Sequence, residues 1–354
     1  MTTPSPAQQI ASEISSLQSK VSSLQNKVRL TDARDGIEDL QVKISSSTQR
    51  IASLRQKGYV FEKVLEEQAT NLLQQWTRLH PSINQQINMQ AANLQASIRP
   101  IETQMSQLTV LARNPASARS LLATAQSQVR MLEDKVSAAE RSISGMYDQI
   151  QNQMQKLGNR LDQIEYMLTN LAEASFQLLP TEAGVAAVKA VWCKAGKEQK
   201  DDPEGILFLT DQRVLFEQKQ EVATKKVLFI TTAKQKLQAL QWESPAALVD
   251  QVLTSKQGMM KNEDHIEIRF RPGGSMQNAH LHIWQDCEAW QALLNRARSK
   301  EFDQDRVVAI DQEQVNKVKA APTQCPSCGA VLASVVLRGQ DTMKCEYCGA
   351  LIRL

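Results

Sequence analysis

Six cysteines and four histidines are the residues of this 354-residue chain best equipped for thiol or metal chemistry. Four of the cysteines form two matching knuckles near the C-terminus, Cys325-Pro-Ser-Cys328-Gly-Ala and Cys345-Glu-Tyr-Cys348-Gly-Ala, with sixteen residues between them. Paired Cys-x-x-Cys turns at such a separation are the pattern of a four-thiolate Zn2+ site, because each pair spans one tight turn and two pairs close a tetrahedron. Gly329 and Gly349 admit the backbone conformation that lets amides approach the sulfurs. Four thiolates leave no position for a substrate or a reactive water, so Cys325, Cys328, Cys345 and Cys348 predict a structural ion. Disulfides or a redox dithiol compete with this reading. Paired knuckles without a secretory pattern in the first thirty residues favour a reducing compartment and metal.

The remaining reactive residues point to less. His280 and His282 share one strand face, but two imidazoles without a third and fourth ligand close by read as packed or solvated. Cys193 and Cys287 stand in apolar surroundings and read as inert core thiols. No Walker loop, dinucleotide fingerprint, zinc-protease HExxH or nucleophile-elbow motif occurs, and nothing assembles a nucleophile, base and oxyanion donor. The expectation is therefore no enzyme and no small-molecule substrate. Lys219, Lys225 and Lys226 lie around one hairpin, and Lys194, Lys197 and Lys200 around another, where cations can meet phosphate or an acidic partner. Glu217 and Glu221 flank the first group, and Glu198, Asp201, Asp202 and Glu204 the second, so the net field at either tip is small. With 41 Lys+Arg against 38 Asp+Glu, the formal charge of +3 speaks against nucleic acid as a whole-chain partner. Near the knuckles only Arg338, Lys344 and Arg353 are cationic, and Asp341 and Glu346 offset two of them.

The elements that position these residues fall into two halves. Only four of the 13 glycines precede residue 177, whereas glycines and aromatic side chains gather beyond it, so a helical half precedes a β-rich one. The boundary is expected at Leu179, Pro180 and Thr181. Ile10, Ile14, Leu17, Val21, Leu24 and Val28 alternate in steps of four and three, the seam of one helix. A second seam runs from Ile37 through Leu54 toward Leu79, and a third from Ile83 to Leu108. Pro81 and Pro100 predict a break or kink, since proline removes a helical hydrogen bond and crowds the preceding turn. Asn114 and Pro115 read as the N-cap and first residue of the longest helix. Its seam is Val129, Leu132, Val136, Ala139, Ile143, Met146, Ile150, Met154, Leu157, Leu161, Ile164, Leu168 and Leu171, with a stutter at Ile150–Met154. Such seams need a partner, which is either the same chain folded back as an antiparallel bundle or a second copy in a coiled coil; the heptads do not distinguish the two.

Beyond Gly184, short strands are expected at 185–193, 206–210, 214–219, 226–232, 265–271 and 278–284. Ser244 and Pro245 suggest a helix start for AALVDQVL, and residues 286–300 a closing amphipathic helix. The run from Glu204 to Phe216, EGILFLTDQRVLF, resembles the strand-turn-strand signature of GRAM and bacterial pleckstrin-homology (PH)-like domains. The resemblance spans 181–300 and implies a curved, barrel-like sheet plugged by a C-terminal helix. Members of such families bind phosphoinositides or proteins, so it implies no single ligand. Arg213 reads as a turn or strand residue and not as a ligand contact.

The knuckle segment resembles a zinc ribbon, with strands expected at 331–337, 342–344 and 350–354. The sequence as a whole predicts an α+β multidomain chain: a helical bundle or coiled coil over 1–179, a PH-like domain over 181–300, a mobile linker over 301–323 and a Zn2+ ribbon over 324–354. The expected role is a non-enzymatic scaffold or adaptor for protein partners, with self-association through the helices as one route. Recruitment to an anionic membrane through Lys219, Lys225 and Lys226, or nucleic-acid binding by the ribbon, is the alternative. No apolar run reaches the roughly 18 residues of a membrane span, and the expected location is the cytoplasm, peripheral at the membrane under the alternative.

Overall fold

The computed structural model describes residues 5–111, 115–227, 230–258, 260 and 262–354, with the side chains of 115–116 and 222–235 excepted. The chain divides into two compact units, 1–48 with 66–158 and 49–65 with 159–354. Its helical region comprises α1 (Pro6–Lys27), α2 (Thr31–Gln56), α3 (Val64–Leu111) and α4 (Pro115–Ala172). Ser5 caps α1 with a capping box to Gln8. Asn114, the expected cap of α4, lies outside the described residues, and α4 begins at Pro115.

In the first unit the seams are covered within one chain. Gln18 donates to Thr109 at 3.1 Å, Gln25 to Glu102 at 2.7 Å and Arg34 to Asn88 at 2.8 Å, and Trp76 reaches Gln41. Partner numbers in α3 fall as those in α1 and α2 rise, so the pair is antiparallel and residues 28–30 make a kink, not a reversal. Leu30 adopts a left-handed φ of 54° there while remaining buried. Trp76 meets Tyr147 of α4 edge-on at 6.4 Å. Of the two arrangements left open by the heptads, the structure shows the intra-chain antiparallel bundle.

Two expectations for the helices change. Pro81 and Pro100 both sit inside α3, which continues through them for 48 residues. Each proline is exposed on the outer face, where water can satisfy the freed carbonyl, while Trp76, Ile83, Ile87, Ile98 and Ile101 stay buried on the inner face. Packing along that stripe holds the helix across two residues that would break it in isolation. In α4, Tyr147 and Met167 occupy the seam in place of Met146 and Leu168, which moves the double step of four to Ala139–Ile143–Tyr147.

In the second unit, seven antiparallel strands form one sheet among the described residues. They are β1 (Gly184–Trp192), β2 (Glu204–Thr210), β3 (Arg213–Val227), β4 (Ile230–Pro245), β5 (Val249–Gln257), β6 (Glu263–Phe270) and β7 (Asn278–Ile283), in the order β4-β3-β2-β1-β7-β6-β5. Trp242 on β4 lies 6.3 Å from Phe270 on β6, five strand steps away. A flat sheet would separate them by about 24 Å at 4.8 Å per step, so the sheet curls around a shared core. Trp192, Phe216, Trp242 and Phe270 fill it. Helix α5 (Cys287–Arg298), capped by Asp286, closes the open side with Cys287, Trp290, Leu294 and Ala297 buried. This meander with a closing helix is the PH-like architecture expected. Gly205 is required where β2 meets β3, since an added Cβ would lie 1.9 Å from the carbonyl oxygen of Glu217.

The expected helix AALVDQVL is instead a single 3-10 turn at Ala246–Leu248 followed by β5. Val249 and Val252 are buried where β5 pairs with β6, and β-branched residues with such partners favour the strand.

The turn between β2 and β3 collects buried charge. Arg213 donates from Nε and Nη2 to both oxygens of Glu182 (2.9 and 2.7 Å) and from Nη1 to Glu243 (2.5 Å). Thr210 Oγ1 accepts from the amides of Gln212 and Arg213 and donates to Glu182. Asp211, fully buried, accepts from Ala183 N, from Arg306 at 2.5 Å and from Arg338 at 2.6 Å. Gln212 pairs its side-chain amide with both backbone groups of Arg338 (2.6 and 3.1 Å). The segment 301–323 is therefore not the free tether expected. Val307 N donates to Val60 O, Phe302 packs on Phe61, a helix α6 (Gln312–Ala320) forms within the segment, and Arg338 fixes the C-terminal module to the turn.

Pro81→Ala and Pro100→Ala are expected to raise the unfolding free energy, each by about 1–3 kcal/mol, because alanine restores a mid-helix hydrogen bond at an exposed site; chemical denaturation checks this. Arg338→Ala should cost on the order of 3 kcal/mol, because Asp211 loses one of its two cations and Asp303 its pair at a buried site. It should also make residues 304–323 cleavable in limited proteolysis while β1–β7 stay intact.

Candidate metal centre

The two knuckles fold alike because the same local contacts build them. Gly329 N donates to Cys325 O (2.8 Å) and Gly349 N to Cys345 O (3.0 Å). Cys325 N donates to Ala330 O and Cys345 N to Ala350 O, each closing its turn. Gly329 and Gly349 have φ of 73° and 72°, the left-handed values that a side chain disfavours. A short hairpin, β8 (Thr342–Lys344) and β9 (Leu351–Arg353), supports the second knuckle. The strand expected over 331–337 is absent, reduced to a single bridge between Gln324 and Val331.

The hairpin and the knuckles bring the four sulfurs within 4.8 Å of one another. Cys325 Sγ is 3.7 Å from Cys348 Sγ, and Cys328 Sγ is 3.7 Å from Cys345 Sγ. A disulfide needs about 2.05 Å, so these are free thiols. A tetrahedral ion with metal–sulfur bonds of about 2.3 Å has sulfur–sulfur edges of roughly 3.8 Å, which matches the observed spacing. Electrostatics points the same way. Burial opposes ionisation of Cys325, yet the amides of Ser327 and Cys328 bring its thiol down to about 6. The amides of Cys348 and Tyr347 likewise lower Cys345. Cys328 is raised to about 12: the Ala330 amide pulls it down, but hydrogen bonds shared with the neighbouring thiols outweigh that pull. Four sulfurs this close retain a proton unless a cation joins them, and the set can hold a metal ion.

Around the sulfurs lies a core of Met343 and Ile352 with Leu332, Val336, Ala350 and Leu354 partly buried. Val331, Tyr347 and Leu351 are exposed at 65%, 73% and 74%.

Of the two lysine groups, Lys194, Lys197 and Lys200 are exposed, whereas Lys219 is half-buried. Lys219 Nζ is paired with Glu173 at 2.7 Å and stands 3.4 Å from Asn170. The side chains of Lys225 and Lys226 lie outside the described residues. Lys194 sits over the Trp192 ring at 5.0 Å.

A second grouping was missed in the sequence. Cys193, His265 and His280 come together, as do Glu198, His265 and His282. His280 and His282 were expected to have no further ligands nearby, but β6 pairs with β7 and places His265 directly opposite His282. The available signal was that three of the four histidines fall within 265–282, two of them alternating on one expected strand and the third on the strand expected before it. Burial pushes the Cys193 thiol up to about 11 and raises Cys287 as well, so neither ionises alone at neutral pH.

No protein-family model matches the chain, and no curated protein matches it. Among solved structures it is similar to the DH/PH domains of p115-RhoGEF, with 11% identity over 84% of this chain and 95% of that one and a TM-score of 0.22. A mutant form of the same domains gives 12% identity, 87% and 100% coverage and a TM-score of 0.20. Likeness of that size transfers neither fold nor activity. The architecture rests on the strand order and the closing helix.

Chelation, or Cys345→Ser, is expected to unpair β8 from β9 and expose 324–354 to protease while β1–β7 persist. Mass analysis of timed digests, alongside metal content, checks it.

Proposed function

We propose that this chain is a non-enzymatic adaptor in which a Zn2+-stabilised ribbon, anchored on a PH-like domain of GRAM type, presents a protein-binding surface. Zinc suits the site because four thiolates at tetrahedral spacing favour a borderline-soft, redox-inert ion and leave it no open position. Metal binding also supplies folding free energy that so small a core lacks, on the order of 10 kcal/mol in comparable modules. The GRAM-type assignment is supported by the run 204–216, whose Thr210–Arg213 turn joins the strands and anchors the ribbon.

The observation that carries the proposal is the fixed ribbon with Val331, Tyr347 and Leu351 exposed on it. Anchoring removes the entropy cost of ordering the module on binding, and an exposed aromatic is a characteristic contact residue. Phosphate recognition has weaker support, since Lys219 is neutralised by Glu173. No helix among the described residues is long and apolar enough to cross a membrane.

Full-length chain immobilised in extract of its native cells should retain a defined set of proteins. Tyr347→Ala with Leu351→Ala should lose them at unchanged metal content and melting temperature. The same chain should leave anionic vesicles and mixed oligonucleotides unbound at low salt, where phosphate-driven affinity is greatest. Vesicle binding abolished by Lys219→Glu, oligonucleotide binding, or turnover by the pure chain would overturn the proposal.

A further inference from the structure

The outer face of the PH-like sheet carries a cluster that the ribbon does not explain. Along β7, Ala279, Leu281 and Ile283 point into the core, which turns His280 and His282 outward. Along β6, Ile266 and Ile268 are buried in the core, and His265 shares the outward face. Cys193 follows the last residue of β1, and its amide donates to His280 O at 2.8 Å. Outward positions on a sheet are ordinarily wet, yet Cys193 and His265 are each only 2% exposed. The connection from β1 to β2 places Glu198 beside them, its Oε2 2.6 Å from His282 Nδ1.

Hydrogen bonding within this cluster does not satisfy it. His265 Nδ1 stands 3.1 Å from His280 Nε2, so one proton is shared between them. His265 Nε2 is buried without a hydrogen-bond partner, and Glu263 Oε2 is 3.9 Å away. An ion on His265 Nδ1 would settle the ring proton on Nε2, the nitrogen nearer Glu263 Oε2, instead of leaving it shared with His280. The same coordinates suit a cation. Two imidazole nitrogens bound to one tetrahedral ion at about 2.0–2.1 Å lie about 3.3 Å apart, close to the separation seen here. A thiol within 4.8 Å completes a three-donor set of the kind that takes a divalent transition ion.

We propose that Cys193 Sγ and the imidazoles of His265 and His280 bind a second divalent transition-metal ion of the zinc class, separate from the ribbon ion. His282, stacked on His265 at 4.7 Å and held by Glu198, is a positioning residue that fixes the His265 ring. Binding is an exchange: the ion enters between His265 Nδ1 and His280 Nε2, the proton shared there moves to the far nitrogen of the ring that carries it, the Cys193 thiol proton leaves to solvent, and solvent occupies the fourth coordination position. The proposal does not depend on the adaptor reading, because neither Tyr347 nor Leu351 takes part.

The test is metal stoichiometry of the full chain, equilibrated with micromolar free zinc and then freed of excess by gel filtration. Wild type should hold about two zinc ions per chain, and Cys193→Ser and His280→Ala about one each. Replacing zinc by Co2+ adds a readout that folding defects do not mimic. The four-thiolate spectrum should persist in Cys193→Ser, while a weaker-sulfur component seen in wild type disappears. One zinc per wild-type chain, or a Co2+ spectrum identical in wild type and Cys193→Ser, overturns the proposal. The wild-type stoichiometry alone decides it should both variants misfold.

Discussion

Two neighbouring residues of opposite charge, Asp211 and Arg213, are buried on one turn and turn away from each other. Each must be neutralised by a different part of the chain. Arg213 takes Glu182 and Glu243, which ties the segment leading into β1 and the end of β4 to the turn. Asp211 takes Arg306 and Arg338, which draws in the connector and the ribbon. Buried ion pairs contribute little net stability over an apolar equivalent, but breaking one partner away is expensive. Their effect is therefore to specify arrangement. Within the second unit they make the ribbon, connector and sheet agree on a single geometry.

This turn also shows what was readable from residues alone. Arg213 as a structural residue, the seams of α1 and α4 and the pairing of knuckles follow from local chemistry, in which side-chain period or turn type is set within a few residues. Failures came where distant partners decide. Pro81 and Pro100 carry a local signal to stop, overruled by an inner face buried along all of α3. AALVDQVL has a helical composition and a helix-start signal, but β6 supplied a strand partner. The connector's charges look solvated in sequence, and Arg306 shows its role only once Asp211 is found buried 95 residues away. The cysteine and histidines of the outer face are separated by up to 89 positions, from Cys193 to His282, and only strand pairing unites them.

The two halves of the chain solve the burial problem by different means. The bundle has long stripes and needs only its own segments folded back, with Trp76 and Tyr147 in edge-on contact inside it. The ribbon has almost no apolar interior. Of its four most buried side chains, two are Cys325 and Cys345, so its core and its metal-binding set are partly the same atoms. A module built that way is stable in proportion to the charge balance at its sulfurs, not to its area.

If the four sulfurs hold an ion, its occupancy and the buried turn would be linked. Arg338 reaches Asp211 and Gln212 only while the segment between the knuckles, 329–344, holds its shape, and that shape is bounded at both ends by cysteines. Removing an ion from the sulfurs would leave Cys328 protonated and take away the charge that draws the two knuckles together. The loop then gains conformational freedom, and the free-energy cost of holding Arg338 at the turn rises with it. Asp211 would keep Arg306 but lose its second cation, and Gln212 would lose both backbone partners in one step. By reciprocity of linked equilibria, every contact that fixes Arg338 raises the ribbon's affinity for its ion by the same factor that the ion strengthens docking. Where the four sulfurs hold an ion, a buried aspartate more than a hundred residues from the knuckles would thus be part of what sets metal affinity, although it never touches a sulfur.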